Sequence, residues 1–166
     1  VCVNVQMMLD HGINGMIAML KQRLQDETLS ERQRDFLNTA ILEWQAALRY
    51  EMRHRDYYRT LAEKESDVQQ KSKYEEMAAR IERVPANPAT NFIDALQSIS
   101  FMYLCLHAED VGGHTLGRID QILYPYYKKD IDEGVITKEE AEEYFFDWWL
   151  KFNLSHIILE TDSESW

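Results

Sequence analysis

The sequence predicts an all-α fold, or one nearly so, from three observations. Apolar residues recur at helical spacing through most of the chain. Capping residues stand ahead of several of those runs, with Gln or Glu three positions later in two cases. Only one run, Ser155 to Thr161, reads as strand-like.

The elements follow in order. Val5 to Leu24 places Val5, Met8, Leu9, Ile13, Met16, Ile17, Leu20 and Leu24 on one helical face. Gly12 and Gly15 lie inside that run, each costing about 1 kcal/mol relative to Ala. They predict either a close backbone approach by a neighbour or a break at His11–Gly12. Ser30 is the expected N-cap of a second helix, with Gln33 completing a capping box and the helix running to about Lys64. Its apolar face holds Phe36, Leu37, Ala40, Ile41, Trp44, Ala47, Leu48, Met52, Tyr58 and Leu61. Ser66 or Asp67 caps a third helix through Arg83, with Val68, Tyr74, Met77, Ala78 and Ile81 inward. Val84-Pro85-Ala86-Asn87-Pro88 stops it, because proline disfavours the helical conformation in the residue before it.

Thr90 or Asn91 caps a fourth helix that is apolar around most of its circumference, from Phe92 to Leu106, which predicts burial on several sides. A loop from Asp110 to Gly117 follows. Arg118 to Asp132 is helical in pattern, with a kink or a new start at Pro125 and Gly134 as the C′ residue. Thr137 and Glu140 form a second capping box, opening a last helix to about Leu154. Its stripe of Tyr144, Phe145, Trp148, Trp149 and Phe152 is assigned to the core.

At 166 residues the chain fits one domain and can bury roughly 70% of its unfolded surface. Its composition, 45% hydrophobic and 28% charged, excludes a disordered chain. The net charge of −11 argues against nucleic acid and anionic membranes as partners. Arg49, Arg53, Arg55 and Arg59, interspersed with acids and tyrosines, read as a solvated helix face. Cys2 and Cys105 are too far apart in sequence to suggest a disulfide framework or a zinc site, which fits a reducing, cytoplasmic compartment. No secretory leader and no membrane-length apolar run is visible. The chain opens at Val1 inside an apolar pattern, so it reads as a piece of something longer.

Polar chemistry concentrates between the fourth and fifth helices, where His107, Glu109, Asp110, His114, Thr115, Arg118 and Asp120 fall close together. One reading is a ligand-facing loop: glycines admit a substrate to the backbone, and Arg118 grips a carboxylate with both arms of its guanidinium. The other is an ordinary helix–loop–helix connection in which Asp120 pairs with a neighbour and His107 sits in a core. Glu51 and His54 form one Glu-x-x-His pair, the unit of a di-iron carboxylate bundle. The other histidines have Met8, Leu104, Val111 and Asn153 three places earlier, so no second pair exists. Glu51 and His54 therefore read as a surface pair, and the di-iron bundle as a weak alternative. Neither a nucleophile elbow nor a phosphate loop is present.

The run from Arg83 to Asp130 resembles the pyruvate formate-lyase-like domain of glycyl radical enzymes. The matching residues, in order, are Val84-Pro85, Phe92, Ala95-Leu96-Gln97-Ser98, Gly117-Arg118, Asp120-Gln121 and Leu123-Tyr124-Pro125-Tyr126-Tyr127. Looser matches, GINGMI near the start and ITKEEAEEYFFDWWLK near the end, extend the resemblance over nearly the whole chain.

The resemblance implies a mainly α segment, the N-terminal helical part of an α/β barrel, with about six helices and at most one or two short strands. Residues 1–166 would form a single helical unit of that larger domain. In the family, a radical S-adenosylmethionine activating enzyme installs a glycyl radical, which oxidises a cysteine to a thiyl. The thiyl then takes a hydrogen atom from a small metabolite. Members act as lyases or dehydratases, commonly as homodimers in anaerobic cytoplasm. Cys105 and the six glycines match neither the family's cysteine motif nor its radical-glycine motif. Those motifs are expected beyond Trp166, and the chain alone is expected to be inactive.

The family places Ser two residues before Gly-Arg, near substrate, and Thr115 stands there in this sequence. The expected substrate-cavity residues are Thr115, His114 and Arg118, oriented by Glu109 and Asp110. Counted from Glu109 the loop is one residue short, which puts His114 out of register with the family histidine. A stand-alone, non-catalytic helical interaction module is the alternative from a different class.

Overall fold

A computed structural model describes residues 3–108 and 115–163, with side chains described up to residue 152. The described residues form six helices: α1 (Val5–Arg23), α2 (Glu31–Lys64), α3 (Val68–Arg83), α4 (Phe92–Ala108), α5 (Ile119–Asp132) and α6 (Lys138–Ser163). There is no β-strand element among them. α3 folds back along α2, α1 packs on α2 and α4, and α4 also packs against α5 and α6.

The boundaries follow the capping chemistry. Ser30 Oγ accepts from Gln33 N while Gln33 Oε1 accepts from Ser30 N, a closed capping box. Asp67 caps α3 through Gln70 N at 2.8 Å. Asn91, not Thr90, caps α4, accepting from Asp94 N at 2.8 Å. Thr137 and Glu140 reciprocate at the start of α6. α5 passes through Pro125 without ending and closes in a Schellman motif. There Gly134 has φ 66°, Gly134 N donates to Ile131 O, and Val135 N donates to Asp130 O.

Gly12 satisfies both expectations made for it. Its φ of 63° breaks the regular geometry of α1, and an added Cβ would lie 2.5 Å from the Asn87 carbonyl carbon. The segment 84–89, which includes a cis Val84–Pro85 bond, supplies the hydrogen bonds the break displaces. Ile13 N donates to Pro85 O, Asn14 N to Ala86 O, and Ala89 N to Leu9 O. Val84 is fully buried and Ala86 nearly so. The proline-rich stop of α3 is therefore a wedge seated against α1.

The core centres on α1 and α4, with Leu9, Ile13, Ala95 and Ile99 inaccessible. Trp148 ties α6 to it by donating its indole N–H to Leu96 O at 3.0 Å. Several expected core positions are not core. Phe36 is 71% exposed and lines an open groove of about 520 Å³ with Arg23, Leu29 and Leu37. Val68 is 80% exposed: as the first residue of α3 it lies at the tip of the α2–α3 hairpin, past the packed length. Met77, Tyr144 and Trp149 are also exposed, whereas Trp148 is buried. Periodicity marks the apolar face of a helix but not how much of it meets a neighbour. The strand-like run Ser155 to Thr161 is helix, a continuation of α6. Short apolar runs suit either state, and adding a residue to an existing helix costs far less than nucleating new structure.

Candidate functional site

The N-terminal end of α4 is held by two buried carboxylates. Asp94 is inaccessible and accepts from the Arg83 guanidinium through both oxygens and from Thr90 Oγ1 at 2.8 Å. Asp130, 2% exposed, reaches from α5 to accept Phe92 N at 2.7 Å. A negative charge there also suits the positive end of the α4 dipole. Lys129 adds a bond from its ammonium to Thr90 O at 2.9 Å. Both aspartates thus fix the N-terminal end of α4.

At the other end of that connection, Thr115 is exposed and its Oγ1 accepts from Gly117 N at 3.2 Å. Gly117 takes φ 71°. Arg118 occupies the N-cap position of α5 without a side-chain cap. Its guanidinium is held by Asp120, with Nε 3.0 Å from one oxygen and Nη2 2.7 Å from the other. Both side chains are exposed. The hydrogen bond and charge of each partner raise the Arg118 pKa and lower that of Asp120. The carboxylate that Arg118 grips is therefore its neighbour two residues on, and a ligand would have to displace it. Thr115 and Arg118 share one exposed corner. Glu109, Asp110 and His114 lie outside the described residues. His107 packs edge-on to Tyr103 with centroids 4.3 Å apart, and Tyr103 packs edge-on to Phe152 at 4.2 Å.

Glu51 corrects an expectation. It is not half of a surface pair: its side chain is 2% exposed and neither oxygen has a hydrogen-bond partner. Burial without compensation pushes its carboxyl pKa up to about 8. His54 is exposed and lies 3.1 Å from Tyr50 O through Nδ1. Among the described residues no three His, Cys, Asp or Glu side chains converge as a metal site requires. The sequence carried a signal for Glu51, which continues the stripe of Trp44, Ala47 and Leu48 at helical spacing.

Several residues that carry the family resemblance have structural duties. Val84, Phe92, Ala95, Leu96 and Leu123 are core, and Phe92 meets Tyr127 edge-on at 5.9 Å. A family model described as Pyruvate formate lyase-like matches residues 1–164.

The chain belongs to the pyruvate formate lyase-like family.

Its relatives within the family act on different compounds. The isethionate sulfite-lyase of Bilophila wadsworthia is 35% identical over 152 residues, which cover 87% of this chain and 18% of that protein. The (2S)-3-sulfopropanediol dehydratase of Klebsiella oxytoca is 34% identical over 150 residues, 86% of this chain and 18% of the relative. A glycyl radical enzyme from Archaeoglobus fulgidus superposes with TM-score 0.84 at 29% identity, over 92% of this chain and 20% of that one. The glycerol-bound, B12-independent glycerol dehydratase of Clostridium butyricum matches with the same TM-score at 28% identity and the same coverage. The chain thus spans about a fifth of the length of these relatives. Its helices are a helical segment of the family's fold.

Proposed function

We propose that this chain is the N-terminal helical part of a glycyl radical enzyme, a lyase or dehydratase acting on a small metabolite. The observation that carries this reading is the match over nearly the whole chain to enzymes of those two reaction classes. In this reading the described glycines and Cys105 serve the fold and not the radical. Gly12 is wedged under Asn87, while Gly117 and Gly134 are exposed. Cys105 packs half-buried against the core. The radical-bearing glycine and the thiyl-forming cysteine would come from other parts of the enzyme, and the chain alone would not turn over substrate.

Its own contribution is positional. The Asp94 and Asp130 contacts fix α4, and α4 aims the connection that carries Glu109, Asp110, His114, Thr115 and Arg118 toward a substrate cavity. The Arg118–Asp120 pair opens when an anionic or hydroxylated substrate takes over the guanidinium. An activating enzyme and a second copy of the protein are the expected partners, in anaerobic cytoplasm. The test uses a full-length enzyme containing this segment. Thr115→Ala and Arg118→Ala should each lower kcat/KM by tenfold or more with little change in the glycyl radical signal in electron paramagnetic resonance. Full turnover in both variants would remove these residues from the site. Turnover by the 166-residue chain alone would overturn the proposed division of labour.

A further inference from the structure

A pocket of about 270 Å³ lies between α2, α3, α4 and α6. Its polar lining comes from all four helices: Glu51 and His54 on α2, Arg80 on α3, Gln97 and Ser100 on α4, and Lys151 on α6. Two features mark it as built to receive something. Glu51 is more than nine-tenths buried, and both its oxygens lack a partner. Buried carboxyl groups are nearly always hydrogen-bonded, because a desolvated polar atom without a partner is costly. Arg80, partly buried, makes no ion pair among the described residues.

The sign of charge selects the occupant. Among the described lining residues Glu51 is the only acid, set against the Arg80 guanidinium, with His54 beside them. An ammonium ligand reaching Glu51 would face the Arg80 guanidinium. Arg80 offers an anion its guanidinium, and a protonated Glu51 carboxyl offers an O–H to an anion that reaches it. Gln97 supplies an amide, and Ser100 Oγ, which already donates to Leu96 O at 2.9 Å, keeps its lone pairs. Tyr50, Tyr58 and Phe101 add apolar lining, and a volume of about 270 Å³ suits a short-chain ligand. We propose that this pocket binds a short organic carboxylate between the Arg80 guanidinium and the Glu51 carboxyl, which acts as a hydrogen-bond donor.

The inference does not rest on the glycyl radical reading, and either can fail without the other. It predicts a definite response to pH. Among the described residues, the titratable or charged groups that line the pocket with Glu51 are Tyr50, His54 and Tyr58 from α2, Arg80 from α3 and Lys151 from α6. With the Glu51 carboxyl pushed up to about 8, binding of an anion should be strong while Glu51 is protonated. It should weaken as Glu51 ionises and repels the ligand.

Calorimetric titration of the purified protein with sodium propionate tests this, with propylammonium chloride as the cationic control. One propionate should bind per chain at pH 7, about tenfold more weakly at pH 9, with no heat from propylammonium. Arg80→Gln should abolish binding. Glu51→Gln, which keeps a neutral donor, should bind propionate equally at both pH values, and its circular dichroism reports that it folds. His54→Asn should leave the pH response in place. No propionate binding at millimolar concentration overturns the proposal. So does preferential binding of propylammonium, affinity that rises with pH, or loss of binding in Glu51→Gln.

Discussion

Buried carboxyl groups appear in two regions of this molecule under opposite conditions. At the start of α4, Asp94 and Asp130 are as inaccessible as any core leucine, yet each accepts hydrogen bonds from a backbone N–H, a hydroxyl or a guanidinium. Midway along α2, Glu51 is equally buried and accepts none. Burial of a charge is tolerated where geometry supplies partners, and elsewhere the group takes up a proton instead. The first arrangement locks two helices and a loop together. The second leaves a group ready to respond to a ligand or to pH.

The largest effect that could break this contrast comes from the wedge behind the α4 region. Gly12→Ala would place a Cβ against the Asn87 backbone at a positive φ, and should cost about 3 kcal/mol or more in urea unfolding. A near-neutral result would mean that segment 84–89 does not seat on α1. Next is Asp94→Ala, which strands the Thr90 and Arg83 donors and should cost about 2–4 kcal/mol. Arg83 is 45% exposed and can turn to water, which favours the lower end. Trp148→Phe keeps the ring in the core but removes the bond to Leu96 O, for about 1–2 kcal/mol.

The α2 side is sharpened by pH. A raised folded-state pKa means that between about 4.5 and 8 the folded chain holds a proton the unfolded chain has lost. Stability contributed by that proton is present below the lower value. It falls as pH rises, by at most about 1.4 kcal/mol per pH unit, and levels off above 8. Glu51→Gln should remove that slope, seen in unfolding midpoints across the range. The same test on Asp94→Asn should leave the slope in place. Smallest of all, Arg118→Ala should not move the melting temperature, because its pair with Asp120 is exposed and screened by solvent. A clear drop would show that the corner does structural work.

Much of the helix inventory was legible in the chain. Ser30 with Gln33, Asp67, Thr137 with Glu140, and Gly134 announce helix ends through local hydrogen bonds or backbone preference, and those need only a few consecutive residues. The family was legible too, from the run between Val84 and Tyr127. The site was legible only in part. Thr115 and Arg118 do share a corner, but the partner of Arg118 is Asp120, one of the two outcomes the sequence left open.

The sequence by itself determined most helix starts, the proline-rich stop of α3, and the close approach or break expected at Gly12, because caps, prolines and glycines act over a turn or less. Only the tertiary structure decided that Glu51 is buried and Phe36 exposed, and that Asp130 reaches back to the first N–H of α4. Those outcomes depend on which helices meet and at what point along their length. That is set by packing between residues distant in sequence, and a single helix's periodicity carries no record of it.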